Sequence, residues 1–264
     1  MSLHIETHGK GEPLLLIHGW GMHGGVWGGI VPRLAERFCV HVVDLPGHGR
    51  SPARGDGGLD SIVDTLAAEL AGPLNVCGWS LGGQIALHWA ARHPEQIRSL
   101  VLMCSTPCFV EQDDWLFGMA EKTLHQFATE LEKNYAATLR RFLALQVRGS
   151  EHERELLAQL RASLFAHGEP DLAALRSGLE ILRCADLRPQ LPEIIQPTLA
   201  LAGERDKLTP PEASYYLAQS LPNAQVIEID GAAHAPFLSH PEIVTELLGY
   251  FIQPPSTQTE PVSC

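Results

Sequence analysis

The sequence is poor in positive charge and has no long apolar run. It carries 19 Lys and Arg against 31 Asp and Glu, which gives a formal net charge of −12. General nucleic-acid binding needs a basic surface and is therefore excluded. No stretch approaches the ~18 consecutive apolar residues of a membrane span, so we expect no membrane segment. The first residues lack the basic region and the apolar core of a signal peptide, so we expect none.

Paired metal-ligand motifs are also missing. The six cysteines form neither a CxxC pair nor a zinc spacing, and we therefore expect no metal site. Cys77 and Cys104 lie in apolar runs and are interpreted as reduced core residues. Reduced cysteines indicate a cytoplasmic protein.

What the sequence does have is a hydrophobic fraction of 45%, enough for a substantial core. Short, wholly apolar runs suit strands that are buried on both faces, and here they alternate with helical patterns. This alternation predicts an α/β fold, a doubly wound and mostly parallel sheet. The predicted strands are 13–17, 39–43, 74–77, 97–103, 197–202 and 225–229, and the predicted helices are 26–37, 59–70, 84–90 and 241–251.

The strand pattern stops after Pro107 and resumes near Pro197. Between them apolar residues recur at helical spacing, as in Leu156, Leu160 and Leu164. We interpret this segment as an inserted lid of four helices and not as a separate domain, because the strand pattern returns after it. The predicted organisation is a core of residues 1–107 and 190–253, a helical lid of 108–189, and a disordered Pro/Ser/Thr-rich tail of 254–264.

The motif with the clearest chemistry is Gly78-Trp79-Ser80-Leu81-Gly82, which reads G-x-S-x-G. An apolar run precedes it and a helical pattern follows it. Strand, sharp turn and helix make this motif a nucleophile elbow, which holds the serine hydroxyl above the sheet. The alternative is a glycine-rich turn in which Ser80 is incidental. A base and an acid at the ends of other strands would argue against that alternative.

Both late strands end in suitable groups. The strand 197–202 leads to Asp206, and the strand 225–229 leads to His234. In a doubly wound hydrolase the chain order is serine, acid, histidine, so Asp206 is the predicted acid and His234 the predicted base. Glu204 remains an alternative acid and His240 an alternative base.

An acyl-transfer site also needs two fixed donors for the oxyanion. The predicted donors are the backbone N–H of Leu81, which follows the nucleophile, and that of Trp20, in the loop after the first strong strand. Asp44 is expected to fix its own loop by hydrogen bonds. This chemistry needs no metal and no organic cofactor.

Taken together, these motifs resemble the α/β-hydrolase family over nearly the whole chain. Within that family the chain resembles the carboxylesterases of biotin biosynthesis, which cleave the methyl ester of pimeloyl-[acyl-carrier protein]. The blocks that carry this closer resemblance are His18–Gly21, Gly78–Gly83, Arg141–Gln146, Gly178–Leu182 and Ala233–Phe237. The lid block Arg141–Gln146 is the most specific of them, because lid sequences are otherwise loosely constrained.

The resemblance implies an α/β-hydrolase fold, an acyl-carrier protein bearing a pimeloyl methyl ester as substrate, and a set of substrate contacts. The implied contacts are Trp20, Ser80, Leu81, Phe142, Leu143, Ala144, Leu145, Gln146 and His234. We expect a monomer. A general short-chain esterase, a thioesterase, and a catalytically silent binding protein on the same fold remain alternatives.

Acyl-carrier proteins are acidic, so a chain of net charge −12 needs a local basic patch to bind one. Four lid arginines are the candidates: Arg141, Arg148, Arg154 and Arg161. Arg141 and Arg148 are seven residues apart, as are Arg154 and Arg161, and on a helix this spacing is two turns and nearly one face. The alternative interpretation is a solvated helix surface with local ion pairs.

Overall fold

The structure is a computed structural model that describes residues 2–53, 57–164, 166–167 and 170–253. In these residues it contains a seven-stranded sheet of order β1-β3-β2-β4-β5-β6-β7. The strands are β1 (Ile5–His8), β2 (Glu12–Ile17), β3 (Phe38–Val43), β4 (Leu74–Trp79), β5 (Ile97–Met103), β6 (Thr198–Gly203) and β7 (Ala224–Ile229). All neighbouring pairs are parallel except β1 and β3, which confirms the predicted α/β architecture.

Ten α-helices accompany the sheet in the described part of the chain. They are α1 (Val31–Leu34), α2 (Leu59–Glu69), α3 (Leu81–Arg92), α4 (Glu121–Lys133), α5 (Tyr135–Val147), α6 (Glu153–Leu164), α7 (Leu172–Cys184), α8 (Pro211–Ser220), α9 (Pro236–Ser239) and α10 (Pro241–Ile252). Helix α3 packs on β4 and β5, and α8 packs on β6 and β7. Every residue of β4 is buried, as expected for a strand in the middle of a parallel sheet, and its one polar side chain, Asn75, is hydrogen-bonded to Pro13 and Ser99.

Two parts of the amino-terminal region differ from the prediction. Strand β1 was not predicted, because Ile5 is the only apolar residue in its four positions and the antiparallel edge is half exposed. The predicted helix 26–37 is instead a 3₁₀ segment, Gly24–Gly29, followed by the single turn α1. Gly28 and Gly29 explain the break, because glycine is a poor helix former.

The four helices α4 to α7 lie between β5 and β6, in the segment that the sequence assigns to the lid. Helix α5 packs against α4 and α6, and α4 packs against α7. The two ends of the insertion meet where the Leu187 N–H donates to the Pro107 carbonyl at 2.9 Å. The segment is thus closed at its base and rests on the core. The tail 254–264 lies outside the described residues.

The register of the sheet brings the loops that carry the predicted site residues to one edge. Ile17 pairs with Gly78, Trp79 with Met103, and Gly203 with Ile229, so β2, β4, β5, β6 and β7 finish side by side. The loops after β2, β4, β6 and β7 therefore meet beneath the lid, where ligands of open α/β sheets bind. None of the described helices is both long and apolar enough to serve as a membrane span.

Candidate active site

Ser80 sits in the tight turn between β4 and α3. Its φ of 55° is unusual for a residue with a side chain, and such strained backbone recurs at active sites. The turn requires glycine on both sides. A Cβ on Gly78 would lie 2.2 Å from the Gly82 carbonyl oxygen, and one on Gly82 would lie 2.4 Å from that of Ile17. The G-x-S-x-G spacing is therefore a packing requirement of this turn.

Hydrogen bonds with the end of β5, the residue Ser105 beyond it and the first turn of α3 hold the strained turn in place. The Ser80 N–H donates to the Met103 carbonyl at 3.0 Å, and the Ser80 carbonyl accepts from the Ser105 hydroxyl at 2.8 Å and from the Gly83 N–H at 2.9 Å. Because both backbone groups of Ser80 are occupied, only its hydroxyl remains for chemistry. That hydroxyl stands at the amino end of α3, where the helix dipole favours developing negative charge.

His234 and Asp206 form a buried pair beside this turn. His234 Nδ1 donates to Asp206 Oδ2 at 2.7 Å, and the two side chains are 1% and 0% exposed. This bond fixes the tautomer of the neutral imidazole, so Nε2 carries the lone pair that a general base needs. Nε2 is buried and has no hydrogen-bond partner among the described residues. Catalytic contacts of this kind are often long until substrate binds.

The loop that carries His234 is tied to both the sheet and the lid. The backbone N–H of His234 donates to the Gln146 carbonyl of α5 at 3.0 Å, and its carbonyl accepts from Trp79 Nε1 at 2.7 Å. The position of the base therefore depends on the residue before Ser80 and on a lid helix. Glu204, the alternative acid, instead accepts from the Gly231 N–H at 2.7 Å. His240, the alternative base, bonds to the Ser239 hydroxyl at 2.8 Å.

Two residues beside Asp206 were missed by the sequence reasoning. The Thr209 hydroxyl donates to Asp206 Oδ2 at 2.7 Å, and the N–H groups of Leu208 and Thr209 donate to Oδ1 at 2.8 and 3.1 Å. An Asp followed three positions later by Thr is a common turn signal and could have indicated this contact. The second residue, Cys104, lies at the end of β5 with a φ of 45°. Cys104 and Cys77 are both free and buried, as predicted.

The loop after β2 runs beside the nucleophile. A Cβ on Gly19 would lie 3.3 Å from the Ser80 Cβ, so the backbone that leads to Trp20 passes close to the turn. Leu81 is the first residue of α3, and first-turn N–H groups have no acceptor within their own helix. This placement is compatible with Trp20 and Leu81 as oxyanion donors, and that role stays a prediction.

The indole of Trp20 connects the core to the lid. Its Nε1 donates to the Leu175 carbonyl of α7 at 2.9 Å, and its ring packs edge-on against Phe127 and Phe142, with centroids 5.4 and 5.1 Å away. A Cβ on Gly178 would lie 2.6 Å from the indole, so α7 can approach this closely only with glycine there. Trp20 thus contacts three of the lid helices, α4, α5 and α7.

The five lid residues expected to contact substrate do not share one environment. Phe142 packs against the Trp20 ring, the Gln146 backbone carbonyl accepts from the His234 N–H, and Leu143 and Gln146 are both buried. Ala144 is half-buried, and Leu145 is 38% exposed. The helical period therefore favours Phe142, Leu143 and Gln146 as inward groups, whereas Leu145 lies on the outer side of α5.

A cavity of about 200 Å³ lies between α7 and the core next to Leu81. Most of its wall is apolar, and its lining includes Leu45, His48, Leu81, Ala174 and Gly178. Burial lowers the pKa of His48, so its imidazole is neutral. Such a wall suits an aliphatic chain.

Two further side chains hold the neighbouring loop. Asp44 Oδ1 accepts from the Gly24 N–H at 2.6 Å and Oδ2 from the Arg50 N–H at 2.9 Å, as predicted for a loop-fixing residue. His18 Nε2 accepts from the Leu45 N–H at 3.0 Å, and burial holds the pKa of His18 well below its usual range. His18 is therefore a neutral structural residue.

The four candidate docking arginines are all exposed, but only one pair lies on a single helix. Arg154 and Arg161 belong to α6 and share a face as predicted. Arg141 belongs to α5, whereas Arg148 follows its last residue with an extended ψ of 121°. The prediction that Arg141 and Arg148 share one helix face is therefore wrong, because α5 ends at Val147. Arg141 pairs with Glu130 at 2.5 Å, while Arg148, Arg154 and Arg161 have no ion pair within the described part of the chain.

Comparison with known proteins gives the family. Residues 12–241 match the model of the alpha/beta hydrolase fold. The chain belongs to the α/β-hydrolase fold family. Two curated members of it are pimeloyl-[acyl-carrier protein] methyl ester esterases. The one from Nitrosomonas europaea is 47% identical over 241 residues, 91% of this chain and 96% of that protein, and the one from Methylococcus capsulatus is 45% identical over 252 residues, 96% and 99%.

Solved structures agree with the fold of this α/β hydrolase. An esterase from Exiguobacterium antarcticum superposes with a TM-score of 0.86 at 22% identity, covering 95% of each chain. A hydrolase from Oleispira antarctica superposes with a TM-score of 0.83 at 27% identity, covering 94% of each chain. The α/β-hydrolase architecture and the family expected from the motifs are thereby confirmed.

Proposed function

We propose that this α/β hydrolase is a serine carboxylesterase that cleaves the methyl ester of pimeloyl-[acyl-carrier protein], releasing methanol and the free carboxylate. The observation that carries the proposal is that Ser80, Asp206 and His234 follow β4, β6 and β7 at one edge of the sheet, with His234 hydrogen-bonded to Asp206. The substrate is inferred from the curated relatives, which are 47% and 45% identical over nearly their whole length and are named for this ester.

The first half of the reaction is acylation. The Ser80 hydroxyl attacks the ester carbonyl while His234 Nε2 accepts its proton, and the imidazolium that forms is stabilised by the Asp206 carboxylate at 2.7 Å. The tetrahedral oxyanion is bound by the N–H groups of Trp20 and Leu81. The proton then passes from Nε2 to the departing methoxide, which leaves as methanol.

The second half is deacylation by water. His234 takes a proton from a water molecule, the hydroxide attacks the acyl-enzyme carbonyl, and the returning proton regenerates the Ser80 hydroxyl. Two buried carboxylate lone pairs of Asp206 accept from Thr209 and Leu208 throughout, so the acid keeps one orientation in both half-reactions. No step requires a metal or an organic cofactor.

The shape of the site suits a long acyl chain that is attached to a carrier. The apolar cavity beside Leu81 lies under α7, and Phe142 and Trp20 line the interface between lid and core. We propose that this interface takes the aliphatic part of the substrate, whose far end is the thioester to the carrier protein. The lid then selects for a flexible chain that can thread between two packed layers.

Docking of the carrier is proposed to use the exposed lid arginines. Arg148, Arg154 and Arg161 are exposed and have no ion pair within the described part of the chain, so their charges are available to an acidic partner. Arg141 can join them only by exchanging its bond to Glu130. The protein is proposed to act as a cytoplasmic monomer, and the free thiols of Cys77 and Cys104 fit a reducing compartment.

The deciding experiment is incubation with pimeloyl-[acyl-carrier protein] methyl ester, followed by intact-protein mass spectrometry. The expected product is lighter by one CH₂ unit and retains its thioester. Ser80→Ala should leave the substrate unchanged. Release of unacylated carrier would identify a thioesterase instead. Turnover of small esters alone would indicate a general esterase, and failure to label with a fluorophosphonate would indicate a silent binding protein.

A further inference from the structure

Cys104 places a thiol directly behind the catalytic pair. Its Sγ, an Asp206 carboxylate oxygen and a His234 ring nitrogen all lie within 4.8 Å of one another. All three residues are buried, with 1–2% exposure each. The Cys104 thiol is also in contact with the Ala233 carbonyl, at 3.7 Å, so it faces the loop that carries His234. The proposed hydrolysis does not use this thiol.

We propose that Cys104, Asp206 and His234 together bind a thiophilic divalent cation such as Zn²⁺ or Cd²⁺, and that binding of this ion inhibits hydrolysis. Thiolate, imidazole and carboxylate are the ligands that these ions prefer. One thiolate and one carboxylate also neutralise the two positive charges of the ion. A neutral complex can occupy a buried position that an isolated charge could not.

The dimensions of the cluster fit such an ion after small shifts. Zinc lies about 2.3 Å from sulfur and about 2.0–2.1 Å from nitrogen or oxygen, so tetrahedral ligands are roughly 3.4–3.6 Å apart. The hydrogen-bonded atoms of Asp206 and His234 are 2.7 Å apart, and every ligand pair lies within 4.8 Å. The Thr209 hydroxyl, 3.3 Å from His234 Nδ1, stands beside the cluster as a neutral oxygen for the fourth position.

Metal binding would shift two protons, and the second shift explains why hydrolysis is inhibited. The Cys104 thiol loses its proton to solvent, and the imidazole proton moves from Nδ1 to Nε2 when Nδ1 binds the ion. Nε2 then carries a hydrogen and cannot accept the Ser80 proton, so acylation stops. Coordination drives the loss of the thiol proton, because a bound metal ion stabilises the thiolate by its own charge.

The test is metal inhibition of p-nitrophenyl butyrate hydrolysis by wild type, Cys104→Ala and Cys184→Ala, each compared with its own metal-free rate. Cys184 is the matched control because its thiol is exposed on α7. We expect Cd²⁺ and Zn²⁺ to inhibit wild type and Cys184→Ala alike, chelator to restore the rate, and Cys104→Ala to need at least about tenfold more metal. Equal sensitivity of Cys104→Ala and wild type would overturn the proposal, as would a wild type that resists both ions.

A second readout does not depend on turnover. In Ser80→Ala/Cys184→Ala, titration with Cd²⁺ should produce the ultraviolet absorption of a cadmium–thiolate bond, and this band should weaken by one ion per chain when Cys104 is also replaced by Ala. A band of unchanged intensity after the removal of Cys104 refutes the site. If Cys104→Ala does not fold, as judged by circular dichroism, Cys104→Ser serves as the second variant, because serine keeps the volume but is a poor ligand for these ions.

Discussion

Trp79 Nε1 donates a hydrogen bond of 2.7 Å to the backbone carbonyl of His234, 155 residues further along the chain. Trp79 is the last residue of β4 and directly precedes the nucleophile, so this single bond fixes the proposed base relative to the proposed nucleophile. The two rings are also in contact, with centroids 5.7 Å apart. Trp79, the side chain at the second position of G-x-S-x-G, therefore helps to position His234.

Replacing Trp79 with Phe tests that relationship. The variant leaves the buried His234 carbonyl without its donor, which costs about 1–3 kcal/mol of the free energy of unfolding. Because the His234 loop is also released, we expect kcat for a small ester to fall at least about tenfold with little change in KM. Urea denaturation and steady-state kinetics measure the two effects.

A matched control for this variant is Trp89→Phe. Trp89 is equally buried and donates through Nε1 to Gln96 at 2.9 Å, away from the candidate site. It should lose a similar amount of stability and keep its kcat. Equal losses of kcat in both variants would mean that the Trp79 bond has no special role in positioning His234.

The choice of acid gives a second prediction. Asp206→Asn should lower kcat by roughly three to four orders of magnitude, because an amide neither holds the required imidazole tautomer nor stabilises the imidazolium. Glu204→Gln should change kcat less than about threefold, since Glu204 is partly exposed and bonds to Gly231 and not to His234. Both variants conserve side-chain volume, so circular dichroism should show intact folds. The reverse ranking would move the acid to Glu204.

Much of this fold could be predicted because the physical signals are local. Apolar runs of five to seven residues in a parallel sheet leave little alternative to a buried strand, and the elbow glycines are required by contacts that any such turn makes. Strand β1 could not be predicted, because an edge strand needs only one buried side and its residues Ile5 to His8 show no apolar run. Its pairing with β3 is decided by tertiary contacts alone.

The candidate site was predictable at the ends of strands and not beyond them. Asp206 and His234 could be assigned because strand order limits which loops can meet. Cys104 follows a different strand from Asp206 and meets it only in the folded chain, which no pattern in either segment reveals. Arg148 was placed on a helix by spacing alone, but spacing does not show that α5 stops at Val147.

Thr209 carries a third prediction. Its hydroxyl and His234 Nδ1 both donate to Asp206 Oδ2, each at 2.7 Å, so the threonine restrains the oxygen that orients the base. Thr209→Val keeps the shape but removes the donor. Hydrogen bonds to charged groups contribute about 1.5–3 kcal/mol, and loss of about half of this from the transition state lowers kcat roughly four- to tenfold. KM should change little.

Thr209→Ser separates the hydroxyl from the packing. Serine retains the donor and loses one methyl group, so it should keep most of the wild-type kcat. If valine and serine are equally impaired, the methyl group and not the hydrogen bond matters. If neither is impaired, the N–H groups of Leu208 and Thr209 are sufficient to hold Asp206.

The last prediction concerns the proposed carrier surface and uses Arg154 and Arg161, the one pair that shares a face of α6. The double variant Arg154→Glu/Arg161→Glu replaces two positive charges with two negative ones at the proposed docking surface. Steering by such charges acts mainly on association and is screened by salt, since the Debye length is about 10 Å at 0.1 M. We expect KM for the carrier-linked ester to rise about tenfold at low salt, with kcat maintained, and the difference to shrink as salt is added.

The control for this variant is Arg33→Glu/Arg98→Glu, which changes the net charge by the same amount on the core. The side chains of Arg33 and Arg98 are also exposed, at 47% and 46%, and their ion pairs with Glu242 and Glu12 lie outside the lid. Exposed pairs contribute little to stability, so this variant should fold and keep its KM. Hydrolysis of p-nitrophenyl butyrate should be unchanged in both. A KM that rises equally in both variants would indicate only a net-charge effect, and an unchanged KM in the lid variant would remove Arg154 and Arg161 from the docking surface.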